Sequence, residues 1–99
     1  MKVKINSVHF KTDSKLNDFI NDKVGKLSSM YEGVIGSDVT LKMENSELPE
    51  NKIAEIRLII RGHDLYAKKQ CKTFEEATDI AVEALRRQLT KHKAKLNNH

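Results

Sequence analysis

Apolar residues recur along this chain with two different periods, and the switches between them mark its elements. Residues Lys2 to Ser7 alternate, with Val3 and Ile5 on one side and Lys2, Lys4 and Asn6 on the other, which predicts a half-buried strand. The period then changes to i, i+3, i+4: Leu16, Phe19, Ile20, Val24, Leu27, Met30 and Tyr31 share one helical face, Asp13 or a neighbouring hydroxyl can cap its start, and Gly33 and Gly36 end it. Alternation returns at Val39, Leu41 and Met43. It is strongest at Ala54, Ile56, Leu58 and Ile60, where Glu55, Arg57 and Ile59 face the other way. Between these strands, Glu44 to Lys52 holds the single proline, Pro49, among Asn45, Ser46, Glu47, Glu50 and Asn51, and reads as a mobile acidic turn. Gly62-His63-Asp64 turns the chain into a fourth strand, with Leu65, Ala67 and Cys71 inward and Tyr66, Lys68 and Gln70 outward. A second helical stripe follows, comprising Phe74, Ala77, Ala81, Leu85, Gln88, His92 and Leu96, with Ala84 and Leu89 at its margins. Thr73 and Glu76 have the spacing of a capping box at its start.

The resulting order is β-α-β-β-β-α. The first strand, helix and second strand should form a parallel pair with a right-handed crossover, and the next two strands should follow as antiparallel hairpins. The expected fold is an α/β two-layer sandwich, a mixed four-stranded sheet with both helices packed on one face. Residues 1–99 make one domain, large enough for one modest core. Nothing at the start resembles a signal peptide, and no apolar run approaches the ~20 residues that span a bilayer, so a soluble, cytoplasmic chain without a membrane partner is expected. Cys71 is the lone cysteine, which excludes an intramolecular disulfide and suits a reducing compartment; it reads as a small buried strand residue. His9, His63, His92 and His99 lack the paired spacing of a metal site, so neither metal nor cofactor is expected. No carboxylate pair, nucleophile with a base, or phosphate-cradling glycine loop is visible, which argues against an enzyme and against a small-molecule substrate.

Charge changes the picture at one end only. From Ala84 to His99 there are five basic residues, Arg86, Arg87, Lys91, Lys93 and Lys95, and no acidic one, so the formal excess of +4 resides there. The first half of the same helix carries Glu75, Glu76, Asp79 and Glu83. The helix dipole favours this polarity, but its influence fades within one turn, whereas Arg86 to Lys95 spans about 14 Å at 1.5 Å per residue. Arg87, Lys91 and Lys95 form a like-charge i, i+4 row that opposes folding by roughly 0.2–0.5 kcal/mol per pair. An arrangement unfavourable to the helix points to an external polyanion, nucleic acid above all. Lys23 lies inside the apolar sector of the first helix, where a lysine ordinarily lays its stem along the core edge. With Lys26, it could also extend the basic surface if the two helices lie side by side. Lys68, Lys69 and Lys72 form a smaller basic cluster.

Of Phe10, Phe19, Tyr31, Tyr66 and Phe74, four read as core, and the paired aromatics of an RRM sheet are missing. Binding would therefore be to phosphates of structured RNA, recognised by shape. The run Leu85-Arg86-Arg87-Gln88-Leu89-Thr90-Lys91-His92-Lys93-Ala94-Lys95-Leu96, preceded by Phe74 and Asp79, resembles the end of the bacterial ribosome hibernation-promoting factors. Leu16-x-x-Phe19, Lys23-x-x-Lys26-Leu27 and Ala54-Glu55-Ile56 extend the likeness over the chain.

The resemblance implies a stress-phase factor that docks on the small ribosomal subunit, in the channel where messenger RNA and tRNA anticodon stems bind. It would contact ribosomal RNA, block translation and preserve idle ribosomes. It assigns the main contacts to Arg86, Arg87, Lys91, Lys93 and Lys95, with Lys23 and Lys26 supporting them; His92 matches the motif but lies in phase with the core. The chain departs from the family pattern in having Lys72-Thr73 where an acidic residue often precedes the aromatic, and Asn51-Lys52 where a histidine is often found. Ending at His99, it looks like the short form, without the long form's C-terminal dimerisation domain, and a monomer off the ribosome is expected. The rival readings are a general double-stranded RNA-binding module and a protein-binding regulator of a transcription factor.

Overall fold

The computed structural model describes residues 1–44 and 47–97. Asn45 and Ser46 of the polar turn, and Asn98 and His99, lie outside the described residues. The elements are β1 (Lys2–Ser7), α1 (Ser14–Gly25), β2 (Val34–Met43), β3 (Lys52–Ile60), β4 (His63–Cys71) and α2 (Phe74–Asn97). The sheet order is β1-β2-β3-β4. β1 pairs in parallel with β2, while β2 with β3 and β3 with β4 are antiparallel. This is the two-layer sandwich that the order of elements predicts.

Both helices begin with side-chain caps. The Asp13 carboxylate accepts from the Leu16 N–H at 2.8 Å, and the Thr73 hydroxyl accepts from the Glu76 N–H at 3.0 Å, each satisfying a donor that the helix itself cannot. The periodic stretch beyond Val24 is not all α-helix. After Gly25 it tightens into a 3₁₀ turn, Lys26–Ser29, in which the hydroxyls of Ser28 and Ser29 donate to the carbonyls of Gly25 and Lys26, three residues back.

β2 starts earlier than its alternation suggests, at Val34, with a register shift between Val34 and Gly36. Gly33 is buried under Tyr31, where a Cβ would fall 2.3 Å from the ring. The β3–β4 turn is Arg61-Gly62, with Gly62 at φ 94°, so His63 and Asp64 already belong to β4.

Between the layers, Ala54, Ile56, Leu58 and Ile60 of β3 meet Leu65, Ala67 and Cys71 of β4, Val39 and Leu41 of β2, and Ile20, Val24 and Leu27 from the α1 segment. Met43, at the end of β2, is half exposed. The buried face of α2 comprises Phe74, Ala77, Thr78, Ala81, Val82, Leu85 and Leu89, with Gln88 and His92 half buried. Leu89 is thus fully buried rather than marginal. Leu96, in phase with the stripe, is 43% exposed because the helix has run past the start of β4 and has no sheet left to cover it. At the opposite end, the loop after β1 turns at His9 (φ 65°), and Phe10 stacks on Phe74 with centroids 5.0 Å apart.

Two core groups lead to expected outcomes. The Thr78 hydroxyl is buried with no hydrogen-bond partner among the described residues. Thr78→Val is expected to raise stability by about 1 kcal/mol in urea denaturation, since it removes an unpaired buried polar atom; a loss of stability would show that the hydroxyl is satisfied. Burial raises the Cys71 thiol above its ordinary pKa, with Glu76 and Glu50 adding to the shift and Lys69 opposing it. Because only the thiolate reacts, alkylation of the native protein near pH 8 should run several-fold slower than in urea, where the thiol is exposed and its pKa falls back. Equal rates would contradict this placement.

Candidate nucleic-acid interface

The layer of helices determines which cations share a surface. Lys15, Leu16 and Phe19 of α1 line one cleft with Glu75 of α2, Lys23 meets Asp79, and Tyr31 meets His92. The helices therefore run side by side in the same direction, and α2, with 24 residues to the 12 of α1, runs on past the end of its neighbour.

The second half of α2 is held down by Leu85 and Leu89, both 0% exposed. This rotation leaves Arg86, Arg87, Lys91 and Lys95 exposed and Lys93 half buried. The Arg86 Nε lies 3.6 Å from a Glu83 carboxylate oxygen, and both side chains are about half exposed. Such a pair contributes little and is readily exchanged for another partner. Among the described residues, Arg87, Lys91, Lys93 and Lys95 have no carboxylate of this chain within 4.0 Å. The uncompensated charge deduced from the spacing is thus present on the surface.

The α1 lysines are placed differently. The Lys23 ammonium lies 3.2 Å from Asp79 across the helix pair and 5.6 Å from the Phe19 ring centroid, so its stem covers the core edge while its charge ties the helices together. Lys26 pairs with Asp22 one turn back, at 3.5 Å. The basic surface is therefore not continuous across both helices, because Asp79 and Asp22 interrupt it.

The Lys68, Lys69 and Lys72 cluster also divides. Lys68 reaches Glu55 on the outer face of the sheet, at 3.7 Å, whereas Lys69 is half buried on the opposite side of β4 and Lys72 lies beside Glu50 and Glu76. On that outer face Lys42 also reaches Glu55, at 3.2 Å, and Arg57 lies 3.9 Å from Asp64. Lys42 and Lys68 thus share one carboxylate, so this face is only partly compensated by its own pairs. Among the aromatics only Tyr66 is strongly exposed, at 51%, and it lies on this face.

One juxtaposition was not foreseen from spacing. His63, at the start of β4, packs edge-to-face on His92 with ring centroids 4.9 Å apart, and His92 in turn contacts Tyr31 at 5.5 Å. The signal for it lies in topology: α2 runs antiparallel to β4, so the end of the helix must return to the strand's first residues.

The family described as Sigma 54 modulation protein / S30EA ribosomal protein matches residues 3–97. A ribosome hibernation promoting factor of Klebsiella oxytoca is 28% identical over 99 residues, the whole of both chains. Its counterpart from Pseudomonas putida is 27% identical over 95 residues, 96% of this chain and 89% of that one. Among solved structures, a ribosomal subunit interface protein from Coxiella burnetii superposes with a TM-score of 0.82 at 15% identity, over 95% of this chain and 99% of its own. The N-terminal domain of Protein Y from Thermus thermophilus gives 0.81 at 19% identity, over 93% and 99%. At these identities the two structures speak for the fold.

Proposed function

The chain belongs to the Sigma 54 modulation protein / S30EA ribosomal protein family, that of the ribosome hibernation promoting factors, and from this premise we propose that it silences ribosomes by binding the small subunit in the cytoplasm. In this reading the protein occupies the channel for messenger RNA and tRNA anticodon stems, and the second half of α2 lies against ribosomal RNA. Arg86, Arg87, Lys91, Lys93 and Lys95 make the main phosphate contacts. Lys23 and Lys26 flank them and contribute less, because each must first leave its own carboxylate.

The observation that carries this reading is the row Arg87, Lys91 and Lys95, exposed on a helix anchored by Leu85 and Leu89 and unpaired by any carboxylate among the described residues. With a single strongly exposed aromatic, the surface is suited to phosphates and RNA shape rather than to stacking on unpaired bases. A protein partner of acidic character would satisfy the same charges, and competition separates the two.

Replacing Arg87, Lys91 and Lys95 together by Ala is expected to leave the urea midpoint unchanged or slightly raised, because like-charge repulsion is relieved. Co-sedimentation with purified small ribosomal subunits should fall by roughly ten-fold or more, equivalent to about 1.4 kcal/mol or more. Initiator tRNA should displace the wild-type protein, while long duplex RNA should compete poorly. Undiminished pelleting of the triple variant would remove these residues from the interface, and equal competition by duplex RNA would favour a general RNA binder.

A further inference from the structure

A cleft of about 270 Å³ opens between the end of α2 and the start of β4, lined by His63, Leu65, Gln88, Lys91, His92 and Lys95. Its wall can turn N–H groups to an anion from two ammonium groups one helical turn apart, two imidazoles and an amide, with no carboxylate in the wall. The amide is fixed in place, since Gln88 Nε2 donates to the Tyr66 carbonyl at 3.0 Å and so ties the helix to β4. The His63 and His92 rings fix each other edge-to-face, and Tyr31 supports His92 from behind.

Within this wall His92 Nε2 is buried with no hydrogen-bond partner among the described residues. A buried imidazole nitrogen without a partner is polar capacity that the fold leaves unused. His92 lines the cleft, and a turn of its ring against the His63 and Tyr31 contacts would offer this nitrogen to an oxygen there. The chemistry favours an anion over a metal ion: two lysines would repel a cation, and no group of three histidine, cysteine, aspartate or glutamate residues is present among the described residues. Lys91 and Lys95 have no carboxylate of their own, so an incoming anion need not displace one.

We propose that this cleft is a phosphoryl-oxygen site in which His63, contributed by β4, joins Lys91, Lys95 and His92 around one phosphodiester of the bound RNA. The interface would then extend from the helix onto the β3–β4 hairpin. The identification of the ligand as RNA rests on the ribosomal reading above, whereas the phosphoryl chemistry rests on the cleft alone.

The test has two arms. Histidine-ring ¹H–¹⁵N spectra of the full chain are followed during titration with inorganic phosphate and, separately, with sodium chloride at matched ionic strength. Phosphate is expected to shift the His63 and His92 rings saturably and chloride is not, and the response should weaken several-fold in a Lys91→Ala/Lys95→Ala variant. In the second arm, affinity for small ribosomal subunits should fall several-fold in His63→Ala and in His63→Gln, with folding checked by circular dichroism, and remain unchanged in His9→Ala, which lies outside the cleft. Identical shifts with chloride would overturn the proposal, as would unaltered subunit affinity in both His63 variants. Saturable phosphate shifts in a wild-type protein that fails to bind subunits would support the phosphoryl site while overturning its ribosomal assignment.

Discussion

The structure depends on the grip of Leu85 and Leu89 on the sheet. Removing a leucine side chain from water contributes about 1.5–3 kcal/mol, as an upper estimate. Both residues are completely buried, and they lie in the half of α2 that bears Arg87, Lys91 and Lys95. The two like-charge contacts in that row oppose the helix by roughly 0.2–0.5 kcal/mol each. Apolar anchoring therefore exceeds the repulsion several-fold, and the helix can keep exposed cations that its own sequence does not neutralise. Without that anchoring, a row of this kind would fray the last turns of the helix.

The same logic separates the molecule into regions with different tasks. Charges that serve the fold are paired: Lys23 with Asp79 between the helices, Lys26 with Asp22 within α1, and Lys42 and Lys68 with Glu55 across the outer strands. All are partly exposed and contribute little individually. Arg87, Lys91, Lys93 and Lys95, which meet no carboxylate among the described residues, lie together on α2 beyond Glu83, its last acidic residue, and form one local positive field. A surface of this type favours fast, salt-sensitive association with a polyanion and gives modest discrimination among sequences.

Much of this was legible in the residues themselves. The alternation at Ala54, Ile56, Leu58 and Ile60 placed every inward side chain of β3, because a central strand covered by helices leaves no ambiguity about its buried face. The Asp13 and Thr73 caps were also legible, since a cap depends on local spacing alone. Thr78 and Val82 were missed on α2: a threonine does not signal burial, and the stripe drifts around a 24-residue helix. The end of α1 was misjudged because serine hydroxyls favour a tighter turn where apolar periodicity continues. At the candidate interface, the free row on α2 followed from sequence, while the capture of Lys23 by Asp79 and the meeting of His63 with His92 required the packing of elements distant in the chain.

The central claim is that unpaired cations on α2 are neutralised by phosphates when the protein binds its partner. The most direct measurement is the affinity for small ribosomal subunits across a series of potassium chloride concentrations. If about five phosphates are engaged, log affinity should fall against log salt with a slope of roughly −3.5 to −4.5. A slope near zero, at whatever affinity, would contradict the account.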